Sequence, residues 1–235
     1  IFESIKAMHD SQDIQLNSSI TKLIHNNSKI EKVIINNKDE FSVNNLISTL
    51  PVNLVIKMLE PEVDSSIIEI ADSLSFRGLK LCAIFLDIDR CSDNASIYFP
   101  DKNIPFTRLY EPKNRSQNMA PKNKTCIVIE VPFDQNKKNK DNDYIMNQVI
   151  ETLIDKKIIK RKNILFNRLI DMSFAYPVLT LDVKDKLDIL VKFLNNFNNL
   201  HLLGRNAQFK YLHTHDLFLL SNEKIQFIKK QITNI

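Results

Sequence analysis

Glycine is almost missing from this chain. Ordinary usage of about 7% would place roughly 16 glycines in a chain of this length, and the 235 residues hold 2, Gly78 and Gly204. Phosphate cradles that bring backbone close to a nucleotide need several glycines within a few residues, as in GxGxxG or the Walker A loop. Neither occurs here. A nucleotide handled by this chain is held without such a loop, or by one that lies outside it.

With 43% hydrophobic and 26% charged residues the chain can bury a core and stay soluble, as one large domain or two modest ones. The net charge of +4 points only weakly to acidic partners, because 31 Ile, 26 Asn and 25 Lys mark a compositional bias in which lysine is background. Only 7 basic residues are arginine, and arginine clusters interleaved with aromatics, the mark of a nucleic-acid groove, do not occur. The densest run, Lys137-Lys138-Asn139-Lys140, is followed by Asp141 and Asp143 and reads as a solvated loop. Cys82 and Cys126 sit in apolar runs and read as buried strand residues, while Cys91 completes neither a CxxC nor an even framework. These thiols and the lack of a signal peptide lead to a cytoplasmic expectation. No apolar run reaches the roughly 20 residues of a membrane span. The opening Ile1-Phe2-Glu3, without Met, reads as mid-helix and suggests a fragment.

Periodicity divides the chain into strands and helices. Ile14 to Ile35 reads as a hairpin around Asn26-Asn27-Ser28, and Phe41 to Ser48 as a further strand running into Thr49-Leu50-Pro51. Helical spacing covers Asn53–Leu59, Ser65–Ser73, Tyr144–Ile159, Val183–Leu194 and Leu217–Ile232. Strands are predicted at Leu79–Asp87, Ile97–Phe99, Phe106–Glu111, Thr125–Val131, Ile164–Phe174 and Leu200–Leu203, with a polar loop over Pro112–Lys124. The class is α+β or α/β, with an antiparallel sheet built from residues 79–131.

Gly204-Arg205-Asn206-Ala207-Gln208-Phe209-Lys210-Tyr211 closes a short apolar strand and leads toward the last helix. Such a junction places backbone N–H groups and an arginine where an anion can sit; it also fits a plain helix start. His213-x-His215-Asp216 lacks a further ligand cluster, so no metal is expected. Arg77 opens the long strand and Arg108 alternates with apolar neighbours on the next hairpin. Read alone, each fits a phosphate clamp or a surface arginine with a carboxylate partner.

The order of IPFTRLYEPKN, APKNKTCIVIEVPF, AYPV and LHLLGRNAQFKYLHTHD resembles the C-terminal half of flavin-dependent amine-oxidase-like proteins. Within that group it is most similar to the UDP-galactopyranose mutase family, with its PFTR strand, its YP dipeptide and its GR-to-Tyr-Leu junction. IQLNSSITKLIHNNSKIEKVIINN and LISTLP resemble the strands that return to the FAD-binding domain. His213 stands where the mutase pattern has an aspartate and Ala175 where a second tyrosine is common, so the resemblance carries further for a flavoprotein than for mutase chemistry.

The resemblance implies part of a Rossmann-like FAD-binding fold over residues 1–50 and 197–235, and a mixed, largely antiparallel substrate-domain sheet with helices over 51–196. Its GxGxxG portion would lie outside this chain, which explains the shortage of glycine. It implies Tyr176 and Arg108 at the catalytic centre and Arg77 and Tyr211 toward substrate. Gly204, Arg205, Asn206, His213, Val33, Ser48 and Thr49 would approach the FAD. The implied whole is an FAD-dependent oxidoreductase or mutase acting on a small polar substrate such as a nucleotide sugar, with FAD not retained by this chain alone. The alternative is a non-catalytic binding module lacking the cofactor-binding half.

Overall fold

The computed structural model describes residues 7, 14–134 and 141–233. The readings of Ile1-Phe2-Glu3 as mid-helix and of Lys137-Lys138-Asn139-Lys140 as a solvated loop lie outside these residues. In chain order the strands are β1 (Ile20–His25), β2 (Ile30–Ile35), β3 (Asp39–Ser42), β4 (Leu46–Ser48), β5 (Leu59–Glu60), β6 (Phe76–Leu86), β7 (Ser96–Tyr98), β8 (Arg108–Tyr110), β9 (Thr125–Asp134), β10 (Ile164–Pro177) and β11 (Leu200–Leu202). The helices are α1 (Val52–Lys57), α2 (Ser65–Ser73), α3 (Asn142–Asp155), α4 (Val183–Leu194) and α5 (Thr214–Thr233). They form two compact units, residues 1–74 with 179–235 and residues 75–178.

In the first unit β1 and β2 make the expected hairpin, with β3 antiparallel beside β2 and β5 parallel to β1. Asparagine supplies the turn chemistry. The Asn26 side chain accepts from the N–H groups of Ser28 and Lys29, and Asn36 and Asn37 take the positive φ values that the β2–β3 turn needs. The expected strand over 41–48 is instead two. β3 ends at Ser42, and β4 leaves that sheet to pair in parallel with β11. Asn199, buried, fixes the change of sheet: its side chain bonds Ile30 N–H, Ile30 C=O and Asn44 C=O at 2.8, 2.8 and 3.1 Å. Ile14 to Asn17 is not strand, and Asn17 adopts a positive φ. α2 is capped by Asp64, which accepts from Ser66 N–H, and packs on α1 and α4. Residues 51–74 and 179–196, grouped by sequence with the substrate-domain segment, therefore fold in this first unit.

The second unit is a five-stranded antiparallel sheet in the order β10-β6-β9-β8-β7. Asp141 caps α3 by accepting from Asp143 and Tyr144 N–H. That helix lays Ile145, Met146, Val149, Ile150 and Leu153 against Cys82, Ile84, Leu86, Leu109, Ile127 and Ile129. Side chains of a strand alternate between faces, so these sheet positions define one covered face. The intervening ones, Leu81, Val128, Arg108 and Glu130 among them, share the other. On the covered face Lys80 is buried, bonded to Asn142 Oδ1 at 2.6 Å and Asp171 Oδ1 at 2.5 Å. The class is mixed α+β, as expected.

Gly78 earns its place by close approach. It pairs with Phe133 across β6 and β9, and a Cβ at this position would run into the Phe133 ring. Gly78→Val should force that ring aside at a cost of about 2 kcal/mol, a typical overpacking penalty. Urea unfolding measures it; an unchanged midpoint would show that the ring does not lie over the glycine.

Candidate functional site

In the second unit the open face of the sheet carries a polar corner. Tyr98, Arg108 and Glu130 stand side by side on β7, β8 and β9, and Tyr110 lies two residues along from Arg108. Directly opposite residues of antiparallel strands point to the same face. The Arg108 guanidinium is ion-paired through Nη2 to Glu130, which is almost fully buried, and lies 5.9 Å from the Tyr98 ring centre and 5.4 Å from that of Tyr110. Both distances suit cation–π contact. Burial alone would lower the Arg108 pKa, but hydrogen bonds to Tyr98 and Glu130 and the Glu130 charge outweigh it and raise it. Burial, then the Glu130 charge, raises the Tyr110 phenol. Among the described residues the buried Arg108 Nε meets no hydrogen-bond acceptor.

Tyr176 and Arg77 belong to the same sheet. Beyond a bulge in β10, Tyr176 pairs with Arg77, which pairs on its other side with Asp134. Tyr176 is within electrostatic reach of Arg108. Arg77 is exposed and, with Phe133, Asp134 and Val178, lines a recess of about 390 Å³. Glu130, Tyr98 and Tyr110 were not singled out in sequence. A lone carboxylate in the apolar run of β9 was the available signal for Glu130.

In the first unit β4 and β11 run parallel and end together at Ser48 and Leu202. Ligands of parallel α/β sheets bind outside the carboxyl ends of strands. Leu203 N–H donates to Ser48 C=O at 3.0 Å, and Val52 N–H to Asn206 C=O at 3.3 Å. Ala207 and Phe209 are each 1% exposed and anchor the loop, which presents Gly204, Arg205 and Asn206 at its partly exposed rim. Gly204 has φ +96°, a conformation L side chains rarely adopt, and a Cβ there would meet only Thr49 Cβ at 4.0 Å. Arg205 lies 5.6 Å from the Tyr211 ring centre.

Ser48 is buried and its Oγ accepts from Leu50 N–H, whereas Thr49 is exposed. Val33 lies in mid-β2 with its side chain buried. His213 is exposed beyond the junction, its N–H donating to Asp216 Oδ2 and its ring stacked on that of His215. Among the described residues no group of three His, Cys, Asp or Glu side chains is placed to hold a metal. No helix among them is long and apolar enough to cross a membrane.

Comparison with known proteins gives a consistent picture. A family model for UDP-galactopyranose mutase matches residues 2–163. No curated protein matches the chain significantly. Among solved structures, a reduced UDP-galactopyranose mutase is similar with a TM-score of 0.76 at 16% identity, over 88% of this chain and 45% of that one. A putative protoporphyrinogen oxidase from Exiguobacterium sp. follows at 0.67 and 11%, over 93% and 48%. A putrescine oxidase variant gives 0.62 and 11%, over 88% and 46%. The chain spans about half the length of these structures.

Proposed function

The chain belongs to the UDP-galactopyranose mutase family, and from that premise we propose that it supplies the substrate-facing sheet and part of the FAD-binding portion of a flavin-dependent mutase or oxidoreductase acting on a sugar nucleotide. The observation that carries this reading is Arg108, held between two tyrosine rings and ion-paired on one edge, with its Nε left as a donor. A diphosphate is recognised by such a guanidinium, planar and permanently charged. Glu130 fixes the orientation of the fork, and the tyrosines restrict it, so little freedom is lost when an anion docks. Tyr176 would act at the same centre, and Arg77 would add positive charge along the sheet.

The residues at the ends of β4 and β11 fit a flavin nucleotide. Residues 46–50 and 203–211 carry the Thr49 hydroxyl, the Asn206 amide, Arg205 and Lys210, without one carboxylate. The space before Gly204 lets a ligand approach the backbone. In this reading Gly204, Arg205 and Asn206 with Ser48 and Thr49 would hold the cofactor, Tyr211 would face substrate, and Val33 and His213 would lie toward the FAD. When bound, FAD would supply a flavin ring able to give electrons in its reduced form or take them from substrate in its oxidised form. This chain alone is not expected to retain it. The three free thiols suit a reducing, cytoplasmic compartment.

Titration of the chain with UDP, followed by calorimetry, tests the assignment of Arg108. Charge-assisted hydrogen bonds contribute about 1.5–3 kcal/mol, so Arg108→Ala should weaken UDP binding by roughly 10- to 100-fold. Arg108→Lys should recover only part of it, because lysine lacks the fork. Equal affinity of the Ala variant and the parent chain would remove Arg108 from the site.

A further inference from the structure

A second recess lies wholly within the first unit, in a groove lined by α4, β11 and α5, with a volume of about 740 Å³. That is the size of a pocket for a small organic ligand. Its walls carry Leu187, Val191, Phe197, Leu200, Leu202 and Phe227. Lys184, Lys210 and Lys224 also line it, against a single carboxylate, Asp188.

Three cations against one carboxylate give the recess its charge. Among the described residues none of Lys184, Lys210 and Lys224 is ion-paired to a carboxylate, and the Lys224 ammonium lies 5.5 Å from the Phe227 ring centre. His201, buried, touches the same space, its Nε2 3.3 Å from Asn45 Oδ1. Burial, and then the charge of Lys224, hold its pKa below the ordinary histidine value. An apolar floor beneath unpaired cations is complementary to a molecule that is apolar along its body and anionic at one end.

We propose that the recess between α4, β11 and α5 binds an anionic amphiphile, an apolar body with a carboxylate or phosphate head that sits among Lys184, Lys210 and Lys224. The aliphatic side chains and two phenylalanines take the body. The lysine ammonium groups, on flexible stems, take the head as point charges. The site uses neither Arg108 nor the sheet of the second unit, and it shares only Lys210 with the flavin reading, which is why the substitutions that test it are placed at Lys184 and Lys224.

The test is calorimetric titration of the 235-residue chain with decanoate, decyl phosphate and the uncharged decanol. Decanoate or decyl phosphate should saturate one site per chain and bind at least about tenfold more tightly than decanol, the factor expected for about 1.4 kcal/mol of charge recognition. The better of the two anions identifies the head group. The double substitution Lys184→Glu with Lys224→Glu should remove that advantage and leave decanol binding unchanged. Raising ionic strength from about 0.05 to about 0.5 M should weaken the anions alone, a readout that needs no variant. Equal binding of decanol and decanoate, binding without saturation, or anion affinity indifferent to salt and to the lysine substitutions would each overturn the proposal. They would leave the recess as an apolar surface for other protein.

Discussion

Glu111→Gln should destabilise the second unit by about 3–5 kcal/mol, although the two side chains differ by one amino group. Glu111 is fully buried. Its carboxylate accepts from Cys91 N–H at 3.0 Å, Ser92 N–H at 3.1 Å, Thr125 Oγ1 at 2.6 Å and Asn114 Nδ2 at 3.2 Å. An ionised carboxylate is acceptor only, which suits a ring of donors; a glutamine must turn an NH2 toward some of them. Each bond to a charged group contributes about 1.5–3 kcal/mol, and a buried donor left without an acceptor costs more than the bond itself. At this chain length the change should lower the melting temperature by roughly 10 °C. Circular dichroism gives the midpoint, and hydrogen exchange on β9 locates the loss, because the two units need not unfold together. A second readout separates charge from packing. The Cys91 thiol is pushed up to about 12 by burial and by the Glu111 charge, so removing the charge should bring its pKa down and speed its alkylation at alkaline pH. A variant as stable as the parent, with Cys91 unchanged, would show that the carboxylate does not hold this loop.

Glu111 also shows why sequence exposed the family sooner than the site. In PFTRLYEPK, Phe106, Leu109, Glu111 and Lys113 are all buried, while Arg108 and Tyr110 stand on the open face. Lys113 is a staple like Glu111: its ammonium donates to Asp89 Oδ1 at 2.7 Å and to Lys124 C=O at 3.0 Å. Its hydrogen bond and charge hold the Asp89 carboxyl below its ordinary pKa. The pattern that carries the resemblance therefore mixes residues that hold two loops together with residues available to a ligand. Spacing alone does not sort them, because both kinds alternate on one strand.

Elements whose partners lie nearby in sequence were legible. The Asn26-Asn27-Ser28 turn announces the β1–β2 hairpin, and α2 and α4 begin and end where their helical spacing places them. Failure came where a distant residue decides. Phe41 to Ser48 has the pattern of one strand, yet Asn199, more than 150 residues away, divides it between two sheets. The corner around Arg108 likewise needs β7, β8 and β9 in register before Tyr98 and Glu130 can be seen as its neighbours. The grouping of 51–74 and 179–196 with the first unit rests on helix packing between segments more than a hundred residues apart, which periodicity does not report.

Asn199→Leu should cost about 3 kcal/mol and act first on the strand that leads to Gly204. Besides its three side-chain bonds, the Asn199 C=O accepts from Leu46 N–H, and the neighbouring Asn198 N–H donates to Ser28 C=O, both at 2.8 Å. One short segment thus ties the β1–β2 turn and the start of β4 to the start of β11. Leucine has a similar volume, so little cavity forms; what is lost is one donor group and one acceptor. Ile30 N–H, Ile30 C=O and Asn44 C=O then remain buried without partners, at about 1–3 kcal/mol for each one that water cannot reach. Hydrogen exchange should show protection falling at Ile30 and Leu46 before β6 or β9 changes. Asn199→Asp distinguishes hydrogen bonding from volume. Its carboxylate still accepts from Ile30 N–H but confronts two carbonyl oxygens, so ionisation is disfavoured in the folded chain and the carboxyl pKa rises on folding. Stability should therefore be greater in acid, where the protonated group donates to one carbonyl, and fall as pH rises through the raised folded-state pKa. If Asn199→Leu unfolds like the parent, or Asn199→Asp shows no such pH dependence, the junction is held by the β4–β11 pairing itself and not by this side chain.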